Sequence, residues 1–331
     1  LRLFDRRFKG VNYVKARPFI VTATLLCSLF SMMAHAAGSW PREIKSAQGT
    51  LTLAQAPQRI VSTSVTLTGS LLAIDAPVVA SGATAPGGRL ADKQGFFQQW
   101  GGVAAQRGVK RLYIGEANAE AIAEQAPDLI VVSATGNDSA IKLVDQLSAI
   151  APVLVVNYDD KSWQQVVATL GEATGHEAKA AQIVEDFDRR EAALKKKIAL
   201  PPQPVTAMVY NAGGRSTNIW TADSAQGKLL QQLGFTLARP PVSQTSHSMG
   251  KRKDIIQSGG ENLATDLNGQ SYLLFAATEA DASALMQNPF LADTAAVKAK
   301  RVYALGTDTF RLDYFSASNL LTRLETLFTS S

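Results

Sequence analysis

The chain has 331 residues, 46% of them hydrophobic and 18% charged, a globular composition with room for about two domains. Its formal net charge of +5 invites a nucleic-acid reading, but removing the six Lys/Arg and one acid of the first 36 residues from totals of 33 and 28 leaves 27 of each sign. The remainder is neutral and has no overall field to recruit a polyanion, so anion binding must come from locally placed cations.

Arg2, Arg6, Arg7, Lys9, Lys15 and Arg17 precede an apolar run from Pro18 to Met33, and small residues flank His35 in "AHA". This is the pattern of a secretory signal peptide over residues 1–36, with cleavage expected before Ala37. The apolar run, about 16 residues, is shorter than the roughly 20 of a spanning helix. The single cysteine, Cys27, lies inside that segment, so no disulfide, thiolate or cysteine metal ligand is expected in the exported chain. His176 and His247 remain, far apart in sequence.

From Ala37 onward short β-rich runs alternate with helical stretches. "QRIVSTS", "PVVAS", "DLIVVSATG" and "PVLVVNY" predict buried strands ending in small or polar residues, and "EAIAEQA" and "SAIKLVDQLSAI" carry helical spacing between them. This alternation predicts an α/β lobe over residues 37–161. "SWQQVVATLGEATG" then predicts a helix closed by Gly175, and the stretch from His176 to Leu200 a long helix with Ala180, Ile183, Phe187, Leu194 and Ile198 near one face. These helices, residues 162–200, link to a second α/β lobe over 201–331, where "VTAMVYNAGG", "SYLLFAATEAD" and "RVYALGTDTF" predict strands and "SASNLLTRLETLF" a terminal helix. Two Rossmann-like lobes joined by one long helix are the predicted architecture.

Ligands of open α/β sheets sit beyond the carboxyl ends of the strands, so the loops there hold the candidates. They carry no dinucleotide or P-loop fingerprint and no G-x-S-x-G elbow. Asp159 and Asp160 offer a carboxylate pair, but their place predicts a cap for the helix starting near Ser162. What the loops do offer is cations and flat aromatics: Arg89 after "PGG", Trp220 ending "GGRSTNIW", Lys251 and Arg252 in "GKRKD", and Arg311 beside Phe310. Guanidinium planes stack on rings and bond anionic oxygens at once, which suits a compact anion with aromatic surfaces.

The stretches "QRIVSTSVTLTGSLLAIDAPVVASGAT", "RLYIGEANAEAIAEQAPDLIVVSATG", "LPPQPVTAMVYNA", "GGENLA" and "RVYALGTDTFRLDYFSA" resemble the periplasmic siderophore, haem and cobalamin binding proteins, and the resemblance spans essentially the whole exported chain. It implies a periplasmic carrier without catalytic residues or a resident cofactor. The implied ligand is ferric enterobactin, a triscatecholate trianion whose own oxygens hold the iron, so no protein metal ligand is required. Arg89, Arg311, Phe310, Lys251 and Arg252 would hold it, with Trp220 packing on a ring. The resemblance also implies delivery to an inner-membrane ATP-driven permease, docked through one acid per lobe: Glu120 before "PDLI" and Glu261 in "GGENL". The competing readings are an exported esterase that opens the siderophore ring and a carrier of haem or cobalamin.

Overall fold

The computed structural model describes residues 39–211, 216–241 and 253–329. The expected leader, residues 1–36, and the candidate cations Lys251 and Arg252 lie outside them. The strands are β1 (Arg42–Ser46), β2 (Gly49–Leu53), β3 (Ile60–Ser62), β4 (Val78–Ala83), β5 (Lys110–Ile114), β6 (Leu129–Ser133), β7 (Val153–Val156), β8 (Val205–Tyr210), β9 (Ser216–Trp220), β10 (Ile255–Gly259), β11 (Ser271–Leu274) and β12 (Val302–Ala304). The α-helices are α1 (Val65–Ala73), α2 (Gln98–Gln106), α3 (Ala119–Ala123), α4 (Val144–Ser148), α5 (Trp163–Thr174), α6 (Glu177–Lys197), α7 (Ala225–Gln232), α8 (Leu263–Asp266), α9 (Glu279–Met286), α10 (Ala295–Lys298) and α11 (Tyr314–Phe328).

Two five-stranded sheets form, in the orders β5-β4-β3-β6-β7 and β10-β9-β8-β11-β12. The first is parallel throughout. β6 and its neighbour β7, at the edge of the sheet, are buried at every residue, as the unbroken apolar runs "LIVVS" and "VLVV" require for strands covered on both faces. In the second sheet β8, β11 and β12 are parallel, and β9 runs antiparallel to β8 and β10. Chain order reverses direction at β3, so the loops after β3 and β6 form a crevice at the carboxyl edge.

Local chemistry sets the linking helices. Ser162, rather than Asp159 or Asp160, caps α5: its Oγ accepts from the Gln165 N–H while Gln165 Oε1 accepts from the Ser162 N–H, a reciprocal capping box. Asp160 instead pairs with Lys161 at 2.6 Å and accepts from Asn157. Gly175 ends α5 in the left-handed region, φ 78°, a conformation that costs glycine no Cβ clash. In α6 the buried residues are Ala180, Ile183, Phe187 and Leu194.

That buried stripe joins the two halves. Trp163 of α5 packs edge-on to Phe187 of α6 at 4.9 Å and against Tyr314 of α11 at 5.7 Å. One hydrophobic cluster runs without a break from Ile60, Leu71 and Val131 around the first sheet through Trp163 and Phe187 to Leu320, Phe235 and Phe328 around the second. Lys197 of α6 pairs with Glu325 of α11, and Arg190 donates to Thr322 Oγ at 3.1 Å.

A buried carboxylate sits at the same junction. Asp313 caps α11, exchanging hydrogen bonds with Ser316, and its Oδ2 accepts from Gln99 Nε2 of α2 at 3.2 Å. Burial pushes its carboxyl up to about 6, against the lowering effect of the bonds from Ser316 and Gln99. Below the ordinary aspartate value both the native and the unfolded chain hold the proton. Between that value and about 6 only the native chain holds it, so stability falls as pH rises through this window. Asp313→Asn removes the linkage: relative to wild type, the variant is expected to gain on the order of 3 kcal/mol between pH 4 and pH 7, read from urea midpoints at the two pH values. A constant difference would show that Asp313 ionises normally.

Candidate functional site

The carboxyl edges of the two sheets face each other across a cleft, and three sets of residues line it in turn. At one end Thr84, Ala85, Gly88 and Arg89, after β4, face Tyr210, Asn211, Ala276 and Phe310 around a cavity of about 480 Å³. In the middle Thr66, Ser70, Tyr158 and Trp163 face Trp220, Gln226, Asp254 and Arg311. At the far end Thr135, Asn157, Asp159 and Asp160 face Asp223, Lys228, Lys253 and Asp254 around about 490 Å³.

Arg311 lies in the turn between β12 and α11. Its guanidinium carbon is 5.2 Å from the ring centre of Tyr158, at the end of β7, and 5.1 Å from that of its neighbour Phe310. Among the described residues its side chain makes no ion pair, so the cation stands between two rings from opposite sides of the cleft. Such contacts are worth about 0.5–2 kcal/mol and fix the guanidinium plane without using its donors.

Tyr158 is held in turn. Its hydroxyl is 3.4 Å from Asp138 Oδ1, and Asp138 Oδ2 accepts from Ser64 Oγ at 2.5 Å and from the Thr66 N–H at 3.0 Å. The acid after β6 is thereby tied to the start of α1 after β3, across the crevice where chain order reverses. Burial pushes the Tyr158 phenol up to about 12, with Arg311 acting in the lowering direction; the ring is neutral at any physiological pH.

Phe310 is half-buried, and its carbonyl accepts from Gln226 Nε2 at 2.9 Å. It covers Trp220, whose ring lies 6.2 Å away, edge-on. Trp220 corrects an expectation. Ser216–Trp220 predicts as loop but forms β9, because Thr217, Ile219 and Trp220 are buried, Ser216–Trp220 pair with β10 and Thr217–Ile219 pair with β8. The indole is 2% exposed, beneath Phe310 at the wall of the cleft rather than presented on a loop, and its Nε1 has no hydrogen-bond partner among the described residues.

Arg89 reaches across the cleft to Asp281 at the start of α9, Nη2 to Oδ1 2.8 Å, with Nη1 3.4 Å from the Ala276 carbonyl. Burial pushes the Asp281 carboxyl up, but hydrogen bonds from the Thr278 N–H and hydroxyl and from Arg89 outweigh it and hold it below the ordinary aspartate value. Glu120 and Glu261 are exposed, each in the first turn of a short helix after an edge strand, β5 or β10. Both stand at carboxyl ends of strands, on the cleft side of their sheets. Sequence reasoning missed Tyr158 and Asp281. Tyr158 lies two residues after "VLVV" and was open to the rule applied to the other strand ends, whereas Asp281 carries only the signal of a helix cap. Among the described residues no group of three or more His, Cys, Asp or Glu is placed to hold a metal ion, and no helix is long and apolar enough to cross a membrane.

The periplasmic binding protein family model matches residues 60–309, well over half of the chain. The chain belongs to the periplasmic binding proteins. This binding protein is 59% identical over 318 residues to the ferric enterobactin-binding periplasmic protein FepB of Escherichia coli, a match covering 95% of this chain and all of that one. Its fold is that of holo-ViuP, with TM-score 0.81 and 35% identity over 88% of this chain and 97% of the other. The Staphylococcus aureus protein SirA, complexed with staphyloferrin B, shares the fold at TM-score 0.65 and 21% identity, over 86% of this chain and 97% of that one.

The placement of Tyr158 depends on Gly136, which has φ +87° and where a Cβ would meet the Tyr158 hydroxyl at 2.0 Å. Gly136→Ala is expected to destabilise the binding protein by about 1–3 kcal/mol through strain and displacement of the ring. Tyr158→Phe, which removes the hydroxyl's contacts with Asp138 and Thr66 and leaves the ring in place, should cost less, about 1 kcal/mol. Urea unfolding of the two variants checks the order, and equal losses would show that the ring is free to move.

Proposed function

We propose that this periplasmic binding protein captures ferric enterobactin in the cleft and hands it to an inner-membrane ABC permease. The observation that carries the reading is Arg311, a cation held between Tyr158 and Phe310 with its donors turned to no acid among the described residues. A ferric triscatecholate is a compact trianion with three aromatic faces. Three negative charges leave water only if positive groups and hydrogen-bond donors replace their hydration. A guanidinium pre-set between rings meets both needs, because it bonds catecholate oxygens through its fork while the rings around it accept the catechol faces. The near identity in length with FepB, and the 59% identity over it, support this ligand over haem or cobalamin. The narrow middle of the cleft, about 50 Å³, must widen to seat it.

In this reading Arg311 is the principal anchor, Arg89 contributes from the other side of the cleft, Phe310 packs on the ligand and Trp220 supports Phe310 from below. Lys251 and Arg252, outside the described residues, are further proposed contacts. The siderophore keeps its own iron coordination, so the protein supplies no metal ligand and performs no bond-breaking step. Glu120 and Glu261, exposed at strand ends of the two sheets, are the proposed contacts to basic residues of the permease.

Titration with ferric enterobactin, with the recovered ligand checked by mass spectrometry, tests the reading. One-to-one retention of intact ligand is expected, and linear fragments would instead identify a hydrolase. Arg311→Ala should lose about 2–5 kcal/mol of binding, roughly 30-fold to several thousand-fold. Arg311→Lys should recover only part, since it keeps the charge and loses the planar fork. Lys253→Ala, at the exposed end, should cost far less. Loss in Lys253→Ala with wild-type binding in Arg311→Ala would move the site to the far end of the cleft. Glu120→Lys should bind the siderophore normally and impair iron uptake in cells; normal uptake would leave Glu120 as a helix-end charge.

A further inference from the structure

The Arg89–Asp281 pair has a consequence that the siderophore reading, on which this inference rests, does not itself contain. Arg89 stands on the loop after β4 and Asp281 at the third position of α9, 192 residues further along. The two carboxylate oxygens of Asp281 divide their work. Oδ2 accepts from the Thr278 N–H at 2.7 Å and the Thr278 hydroxyl at 2.8 Å, closing the capping box of α9, while Oδ1 accepts from Arg89 Nη2 at 2.8 Å. The capping half alone secures the helix. In α11 the same third position is filled by Ser316, whose hydroxyl accepts from the Asp313 N–H at 2.9 Å. A neutral residue at this position therefore serves a capping box in this same fold, and the Asp281 oxygen that the box does not use, Oδ1, is left to Arg89.

What faces Oδ1 is the guanidinium at the Arg89 end of the cleft, on the wall of its 480 Å³ cavity. Asp281 is 7% exposed at its side chain and Arg89 45%, so the acid is fixed in the wall and the cation projects into the cleft. An anion arriving at Arg89 meets a donor already engaged and a carboxylate of its own sign behind it. We infer that Asp281 is an affinity-setting residue: it holds Arg89 in competition with the anionic ligand, so that Arg89 is released to a ligand carrying more negative charge than one carboxylate. Asp281 thereby weakens capture, orients Arg89 while the ligand enters, and gives the cation a partner to return to when the ligand leaves.

The test is titration of ferric enterobactin into wild type, Asp281→Asn, Asp281→Ser, Arg89→Ala and Arg89→Ala/Asp281→Asn, with helix content checked by circular dichroism. Asparagine keeps an oxygen for the cap and turns an amide towards Arg89, and serine reproduces the Ser316 arrangement without reaching the guanidinium. Both are expected to bind roughly five- to tenfold tighter than wild type, with most of that gain absent in the Arg89→Ala background. Unchanged or weaker binding in both folded variants would overturn the inference. A gain of the same size without Arg89 would overturn it too, since Asp281 would then act on the ligand directly. Failure of wild type itself to bind ferric enterobactin would overturn the siderophore reading and this inference together, and it shows in the first titration, apart from any variant.

Discussion

The contact on which the rest of the molecule depends is the seam where Trp163 lies between Phe187 and Tyr314. These rings come from α5, α6 and α11, helices that belong to both sheets, and they sit inside one continuous hydrophobic cluster. Edge-on aromatic pairs contribute about 0.5–1.5 kcal/mol each beyond the area they bury. To swing the two sheets far apart would expose that cluster to water at about 25 cal/mol per Å² of apolar surface. The seam therefore restricts the halves to small displacements, and the cleft must carry most of its recognition chemistry before any ligand arrives. Asp313 strengthens the argument, because a buried acid bonded to Gln99 tolerates no gap between α2 and α11 that would admit water to only one of them.

A cleft that is nearly fixed must keep its cations acceptable to the protein itself. An unpaired guanidinium in a narrow crevice costs free energy through lost hydration, and the structure answers in two ways. Arg89 is given a carboxylate, Asp281. Arg311 is given rings, Tyr158 and Phe310, which stabilise the charge while leaving its hydrogen-bond donors unspent. The second arrangement suits the anchor role proposed for Arg311, since a ligand need not displace an ion pair to reach it. The first suits a cation whose availability is to be graded by ligand charge.

Much of the fold was legible because its signals are local. The buried runs "LIVVS" and "VLVV" became β6 and β7, Gly175 closed α5, and the apolar stripe Ala180, Ile183, Phe187 and Leu194 appeared on α6. The failures were of two kinds. The hairpin of β1 and β2 and the edge strand β5, with a largely exposed pattern, lack the unbroken apolar runs that marked β6 and β7. Ser162 displaced Asp159 and Asp160 as the cap of α5 because the reciprocal bond with Gln165 satisfies two backbone donors where a lone aspartate satisfies one. In the cleft, the cations were legible from residue type and from their place after strands, but their partners were not. Tyr158 and Asp281 reach Arg311 and Arg89 only through the folding of one sheet's loops against the other's, and no periodicity in the sequence records a pairing across 192 positions.

On the proposed reading, in which Arg89 and Arg311 hold the siderophore, their partners also account for its release. Were both cations unpartnered, the trianion would be held by the full unscreened attraction of each and its departure would leave two bare charges in the crevice. With Asp281 and the rings in place, the starting and ending states of the cleft are both satisfied, and the binding free energy is the difference between two sets of good contacts rather than the sum of one. Tyr158 carries this balance into the other sheet, since its bond to Asp138 and that acid's hold on Ser64 and Thr66 tie the ring to the start of α1. On the same reading, a displacement of Arg311 by the ligand would act on the first sheet through one ring and one carboxylate, over the small range that the Trp163 seam permits.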